Sequence, residues 1–97
     1  MPASSIVRVE LKGTPSRADY DTLHEQMRRA GFKQTITGSN QVTYALPHAE
    51  YYGRGLDGNT ARERAKDAAA TVWTQFQVLA TESAGEGSMF WYGLEPA

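Results

Sequence analysis

The order of hydrophobic periodicities along the chain constrains its fold more than any other sequence feature. Segments in which apolar and polar residues alternate, as in half-buried strands, are interspersed with two segments whose apolar residues recur every three or four positions, as in amphipathic helices. The predicted strands cover residues 6–11, 32–37, 41–46 and 76–81, and the predicted helices cover about 16–30 and a stretch from Thr60 to about Trp73. This order predicts an α+β, ferredoxin-like βαββαβ fold, in which both helices cover one face of a four-stranded antiparallel sheet.

Capping signals mark where the predicted helices begin. Either Thr14 or the pair Ser16 and Asp19 can cap the first helix, and Thr60 with Glu63 three residues later forms a capping box for the second. Residues 48–59 contain three glycines without periodicity, so we predict a loop whose first residues can extend the third strand. In the predicted sheet the first and third strands are central, and their helix-free side carries both apolar and charged residues.

Composition limits the classes of function. The chain has 97 residues, a net charge of −1 from 10 basic and 11 acidic residues, and no cysteine. These values predict one domain over residues 1–97 with its core in about 5–82, exclude disulfides and thiol chemistry, and require any nucleic-acid contact to come from a local basic patch. We expect no metal and no cofactor. Because neither a signal peptide nor a membrane-spanning run is apparent, we expect a cytoplasmic protein that does not bind membranes.

Several short motifs resemble a family of small bacterial and prophage proteins. The similarity runs from about residue 6 to residue 94, and its motifs are the segments 7–11, 19–24, 30–32, 43–51 and 81–85. This is the GhoS-like antitoxin family of type V toxin–antitoxin systems. The resemblance implies a ferredoxin-like endoribonuclease that cleaves the mRNA of a membrane toxin in a sequence-selective manner, without a tightly held metal. Residues 53–58 and the aromatic residues 90–92 differ from the family's pattern.

RNA cleavage of this kind needs a general acid or base near a 2′-hydroxyl and cations near the phosphate. His48 and Glu50 form a candidate acid–base pair, and Arg8 and Glu10 project from one face of the first strand about 7 Å apart. These four residues are the predicted catalytic set. The alternatives are that Arg8 and Glu10 form an ordinary surface pair and that His48 is simply solvated. We interpret His24, at the border of the first helix's apolar stripe, as a packed residue.

Basic and aromatic residues suggest where RNA could bind. One group follows the third predicted strand, and the other lies at the end of the first helix. The helix-end cations can equally be explained by the helix dipole, and the tyrosines by core packing. The RNA-binding candidates are Arg54, Tyr51, Tyr52, Arg28, Arg29 and Lys33.

The C-terminal tail, residues 88–97, contains an aromatic segment that is too apolar to stay free in water. The segment consists of Met89, Phe90, Trp91 and Tyr92. We expect it to pack, and we predict a homodimer in which it adds a strand at a sheet edge and forms the interface.

Three hypotheses of function follow from these observations. The first is an antitoxin-like endoribonuclease that acts on mRNA. The second is a catalytically inert dimeric binding or inhibitor protein of bacterial or prophage origin, which blocks a protein target and which the near-zero net charge favours. The third is a dimer that binds a small ligand on the helix-free side of its sheet.

Overall fold

The protein is a small α+β structure in this computed structural model, which describes residues 3–85 and 88–97. A three-stranded antiparallel sheet and a separate two-stranded sheet accompany two α-helices. The elements in chain order are β1 (Ser4–Leu11), α1 (Arg17–Arg29), β2 (Thr35–Thr37), β3 (Thr43–Ala45), β4 (Glu50–Gly53), α2 (Gly58–Ala70) and β5 (Phe76–Ser83). The predicted α+β class is confirmed.

Strand β1 is the centre of the larger sheet, whose order is β4-β1-β5. Its alternation is the predicted one, since Val7, Val9 and Leu11 are buried while Arg8 and Glu10 are exposed. The buried side chains join residues from both helices in a single core, and four alanines of α2 take part in it: Ala61, Ala65, Ala68 and Ala69. The small alanines allow α2 to lie close against the sheet. We call the opposite side of this sheet the helix-free face.

The position predicted for the third strand is wrong. Strand β3 pairs with β2 in a hairpin, and the place beside β1 is taken by β4, which lies in the segment predicted to be a loop. An antiparallel bridge joins the two sheets: the Lys33 amide donates to the Tyr52 carbonyl at 2.9 Å, and the Tyr52 amide donates to the Lys33 carbonyl at 2.7 Å. Because Tyr51 fills the core from β4, burial favours this strand over the more polar segment 41–46.

The two helix starts differ in how well the sequence predicts them. Ser16 caps α1 and forms the predicted capping box with Asp19. Helix α2 begins before Thr60, because the Asp57 carboxylate accepts a hydrogen bond from the Thr60 amide at 2.7 Å and is the actual N-cap. The Glu82 carboxylate of β5 accepts from the Gly58 amide at 2.7 Å, which ties this helix end to the sheet. The predicted Thr60 box is therefore wrong.

The C-terminus pairs with the hairpin of its own chain. The Ala45 amide donates to the Glu95 carbonyl and the Ala97 amide donates to the Thr43 carbonyl, both at 2.9 Å, around a bridge between Tyr44 and Pro96. The tail thus adds a short pairing to the edge of β3, while its aromatic segment, residues 89–92, lies outside the strands. Within residues 3–85 and 88–97, no helix is long and apolar enough to cross a membrane.

Candidate nucleic-acid groove and histidine cluster

A groove of about 830 Å³ lies between the β2–β3 hairpin, the end of β4 and the aromatic tail. Lys33 and Tyr52 face each other across the bridge between the sheets, and Arg54 directly follows β4. Trp91 closes the other side, with its ring 5.7 Å from the ring of Tyr44. The chain thereby places two cations and several aromatic rings along one groove, although these residues are distant in sequence. We call it the hairpin groove.

The described lining of the hairpin groove carries positive charge without any carboxylate. Lys33 and Arg54 are its only charged residues, and its remaining polar groups are mostly hydroxyls and amides. Both cations are exposed, and neither forms an ion pair with any residue that the structure describes. The groove therefore forms a local basic patch on a chain whose net charge is −1.

The structure brings only some of the predicted RNA-binding residues together. Lys33 and Arg54 line the hairpin groove with exposed side chains, whereas Tyr52, which also lines it, is only 4% exposed and does not offer its ring for stacking. The prediction for Tyr51 is wrong, because its side chain is fully buried in the core and cannot stack on a base.

Arg28 and Arg29 lie on α1 and do not line the hairpin groove. Both hydrogen-bond to Glu25, and these bonds lower the pKa of the Glu25 carboxyl to about 2. Both arginines lie in the last turn of α1, where the helix dipole favours cations, and their ion pairs with Glu25 add a second explanation that needs no RNA contact.

Two histidines meet where α1 packs beside the start of β4. The His24 Nδ1 atom lies 2.7 Å from the Tyr51 hydroxyl, and the His48 ring centroid lies 5.4 Å from that of His24, with the rings nearly perpendicular. The Tyr20 ring packs against His48 at 4.6 Å. Burial lowers the pKa of His24, nearby His48 lowers it further, and Asp21 opposes the shift. The lowered pKa favours the neutral form of His24, which can accept a proton.

The predicted pairing of His48 with Glu50 is not found. Ala49 between them has a φ of +64°, a conformation that interrupts the alternation of side chains along the strand. The His48 ring packs on α1, whereas Glu50 is the cross-strand partner of Arg8 and lies on the helix-free face. His48 therefore has His24, not Glu50, as its neighbour for acid–base chemistry.

Three of the predicted catalytic residues share the helix-free face. Glu50 lies opposite Arg8 in the register of β1 with β4, and Glu10 lies two residues further along β1. Among the described residues Arg8 makes no ion pair, so the alternative of an Arg8–Glu10 surface pair is not observed. The Glu10 carboxylate instead lies 3.9 Å from the Lys12 ammonium.

Sequence reasoning missed two participants in these sites. Tyr44 lines the hairpin groove from β3, and Tyr20 completes the histidine cluster from α1. Helical spacing does place Tyr20 and His24 on one face, since they lie four residues apart. The contact with His48 is between distant segments, and no local pattern indicates it.

The described residues contain no group of three or more histidine, aspartate or glutamate side chains arranged to hold a metal ion. Comparisons with protein-family models, curated proteins and solved structures give no match to this chain.

Proposed function

We propose that this protein binds single-stranded RNA in the hairpin groove. The observation that carries the proposal is the combination of two cations, neither ion-paired with a described residue, and aromatic rings in a groove whose described lining has no carboxylate. Single-stranded nucleic acids are bound in this way: a positive groove follows the phosphates, and aromatic side chains stack on the bases.

The aromatic side of the groove comes from the tail. Trp91 is half-buried against Tyr44, so its ring is held in place while part of it faces the groove. A stacked base is worth about 1–3 kcal/mol in comparable sites, which makes Trp91 the expected anchor. Lys33 and Arg54 then contribute phosphate contacts on the opposite side.

We propose further that the protein cleaves the bound RNA, as its resemblance to type V antitoxins implies. In such a step the 2′-oxygen attacks the adjacent phosphorus, the P–O5′ bond breaks, and a 2′,3′-cyclic phosphate forms. One group removes the 2′-hydroxyl proton and another protonates the leaving O5′. His24, whose lowered pKa favours the neutral form, can accept the first proton, and the exposed His48 can supply the second. Neither histidine lines the hairpin groove, so the bound RNA must extend from the groove to this cluster. The close packing of the two histidines favours them over His48 and Glu50.

The finer fold assignment is part of the same proposal. We infer a ferredoxin-like βαββαβ fold in which β4, rather than β3, is the strand beside β1. The bridge between Lys33 and Tyr52 supports this assignment, because it places the segment before β2 next to β4. In a ferredoxin-like sheet this outer position belongs to the strand that completes the set of four.

Binding is tested by fluorescence anisotropy with a labelled single-stranded RNA of about 12 nucleotides, at two or more salt concentrations. We expect Trp91→Ala and Arg54→Ala each to weaken binding by about ten-fold, and Arg54→Ala also to reduce the dependence on salt. Arg29→Ala is the matched control, since it removes an arginine from α1, and should bind like the wild type. Equal binding by all four proteins would exclude the hairpin groove.

Cleavage is tested on the same RNA with and without EDTA, followed by analysis of the product ends. We expect cyclic phosphate ends, EDTA-insensitive cutting, and its loss in His24→Ala and His48→Ala with RNA binding retained. If both variants cut as well as the wild type, the histidines are not the acid and base. RNA binding without cutting by the wild type would contradict the cleavage proposal alone.

One observation favours the inert binding protein as a second candidate. Phe90 and Tyr92 are 92% and 100% exposed, which is unusual for aromatic residues on a small domain. If the wild type fails to bind RNA, this alternative becomes the better explanation of the tail.

A further inference from the structure

We propose that the helix-free face binds a second copy of this chain across a twofold axis. This face is the side of β1, β4 and β5 that points away from both helices, and it carries Arg8, Glu50 and Leu79. The dimer predicted from sequence used strand addition by the aromatic segment. Here the terminal residues already pair with β3 of their own chain, so the second copy is assigned to the sheet face instead.

The face has both an apolar projection and an apolar groove. Leu79 on β5 is 66% exposed beside Arg8, and Tyr92 projects fully from the tail. Next to Tyr92 lies a groove whose lining includes Ile6 and Ile36. A surface that contacts its own copy about a twofold axis must be complementary to itself, and a projection beside a groove meets that requirement.

The charges on the face are also complementary to themselves. Arg8 and Glu50 are direct cross-strand partners, yet neither forms an ion pair with a described residue. A twofold axis that passes near this pair sets Arg8 of one copy against Glu50 of the other. The same axis also sets Glu50 of the first copy against Arg8 of the second, so the ion pair forms twice. Because the third charged residue of the face, Glu10, is paired with Lys12, Arg8 and Glu50 remain as one cation and one carboxylate, which fit a second copy better than a strongly charged partner.

The dimensions of the molecule are sufficient for such an interface. Its principal extents are 38, 27 and 19 Å. A broad side of a molecule of this size is large enough to hold the roughly 800 Å² per partner that a standard protein interface buries. The groove next to Tyr92 and the hairpin groove share Met89, Phe90 and Trp91 in their linings, so dimerisation is measured without RNA.

The test is a charge exchange followed by sedimentation equilibrium over about 5–200 μM protein, with circular dichroism to verify folding. We expect the wild type to dimerise and the single variants Arg8→Glu and Glu50→Arg each to dimerise at least ten-fold more weakly. The decisive sample is their equimolar mixture. It should form a heterodimer, because each variant's altered charge then faces an opposite one.

An ion pair within one chain cannot explain restored dimerisation in the mixture, because each variant carries two like charges at positions 8 and 50. Arg62→Glu, on the exposed side of α2, is the control and should leave dimerisation unchanged. Leu79→Asp tests the face without altering the charge pair, and it should also weaken the dimer. A monomeric wild type at the highest concentration, or a mixture no more associated than its components, overturns the proposal.

Discussion

The Nδ1 atom of His24 lies 2.7 Å from the hydroxyl of Tyr51. This hydrogen bond joins α1 to β4, the strand that occupies the place beside β1, at a position where the tyrosine is fully buried. The neighbouring His48 ring adds a second imidazole. One contact therefore links helix packing, the central sheet and the candidate acid–base cluster.

We predict that acidification destabilises the protein through His24. Burial and the nearby His48 lower the pKa of His24 below its ordinary value, so the folded state favours the neutral imidazole. Its stabilising contribution is complete above the unfolded pKa of about 6.5 and is lost as the pH falls through the lower folded value. Thermal unfolding should therefore show a lower Tm at pH 5.5 than at pH 7.5.

His24→Gln separates this effect from the remaining titrations. Glu25, Asp57 and Glu63 also have lowered pKa values, but carboxyl groups contribute their pH dependence mostly below this window. The variant should show a smaller difference in Tm between the two pH values. An unchanged difference would show that the effect arises from groups other than His24.

The hydroxyl of Tyr51 should matter for stability even though no substrate can reach it. Tyr51→Phe keeps the buried ring and removes only the bond to His24, so we expect it to lower the free energy of unfolding by about 1 kcal/mol. Tyr44→Phe is the control, since its hydroxyl bonds to Asn40 on the exposed surface and its loss should cost less than about 0.5 kcal/mol. Urea denaturation of the three proteins measures both values, and equal losses would contradict the prediction.

Local patterns predicted the elements that are amphipathic and capped. Strand β1, helix α1 and strand β5 follow from periodicity, because each of them buries only one face and its apolar residues recur with the matching period. In the two strands these residues are Val7, Val9 and Leu11 and, further along the chain, Phe76, Val78 and Ala80. Strand β4 was missed because it is short, ends at Gly53 and follows a residue with positive φ. Its stability comes from pairing with β1 and from burial of Tyr51, neither of which is visible in the local sequence.

The candidate sites divide in the same way. Arg8 and Glu10 share a face, as alternation along one strand requires. The grouping of Lys33 with Arg54 and Trp91, and of His24 with His48, depends on which distant segments pair. Counting two residues from His48 to Glu50 suggested a common face, but the turn at Ala49 sends their side chains to opposite sides of the sheet.

Gly53 should tolerate no side chain. A Cβ atom there would lie 2.9 Å from Cε1 of Phe32 and 3.0 Å from Cδ1 of Leu56, and Phe32 is itself buried in the core. Gly53→Ala is therefore expected to cost about 1–3 kcal/mol through overpacking. Gly58→Ala is the matched control, because its Cβ would meet only ordinary contacts at 3.4 Å or more, and it should change stability by less than about 0.5 kcal/mol. Denaturant midpoints decide the comparison, and equal effects would show that β4 can shift to make room.

The N-cap of α1 provides a final test of helix stability. The Ser16 hydroxyl accepts a hydrogen bond from the Asp19 amide at 3.2 Å, and the Asp19 carboxylate accepts one from the Ser16 amide at 2.8 Å. Ser16→Ala removes the first bond, so we expect a loss of about 1 kcal/mol in the free energy of unfolding. Ser39→Ala, at an exposed turn position, should have an effect of less than about 0.5 kcal/mol.

Because α1 carries Tyr20 and His24, the Ser16 variant should also broaden the His24 and His48 imidazole signals in NMR spectra. Unbroadened signals together with the stability loss would show that the histidine cluster is held by β4 rather than by the start of the helix.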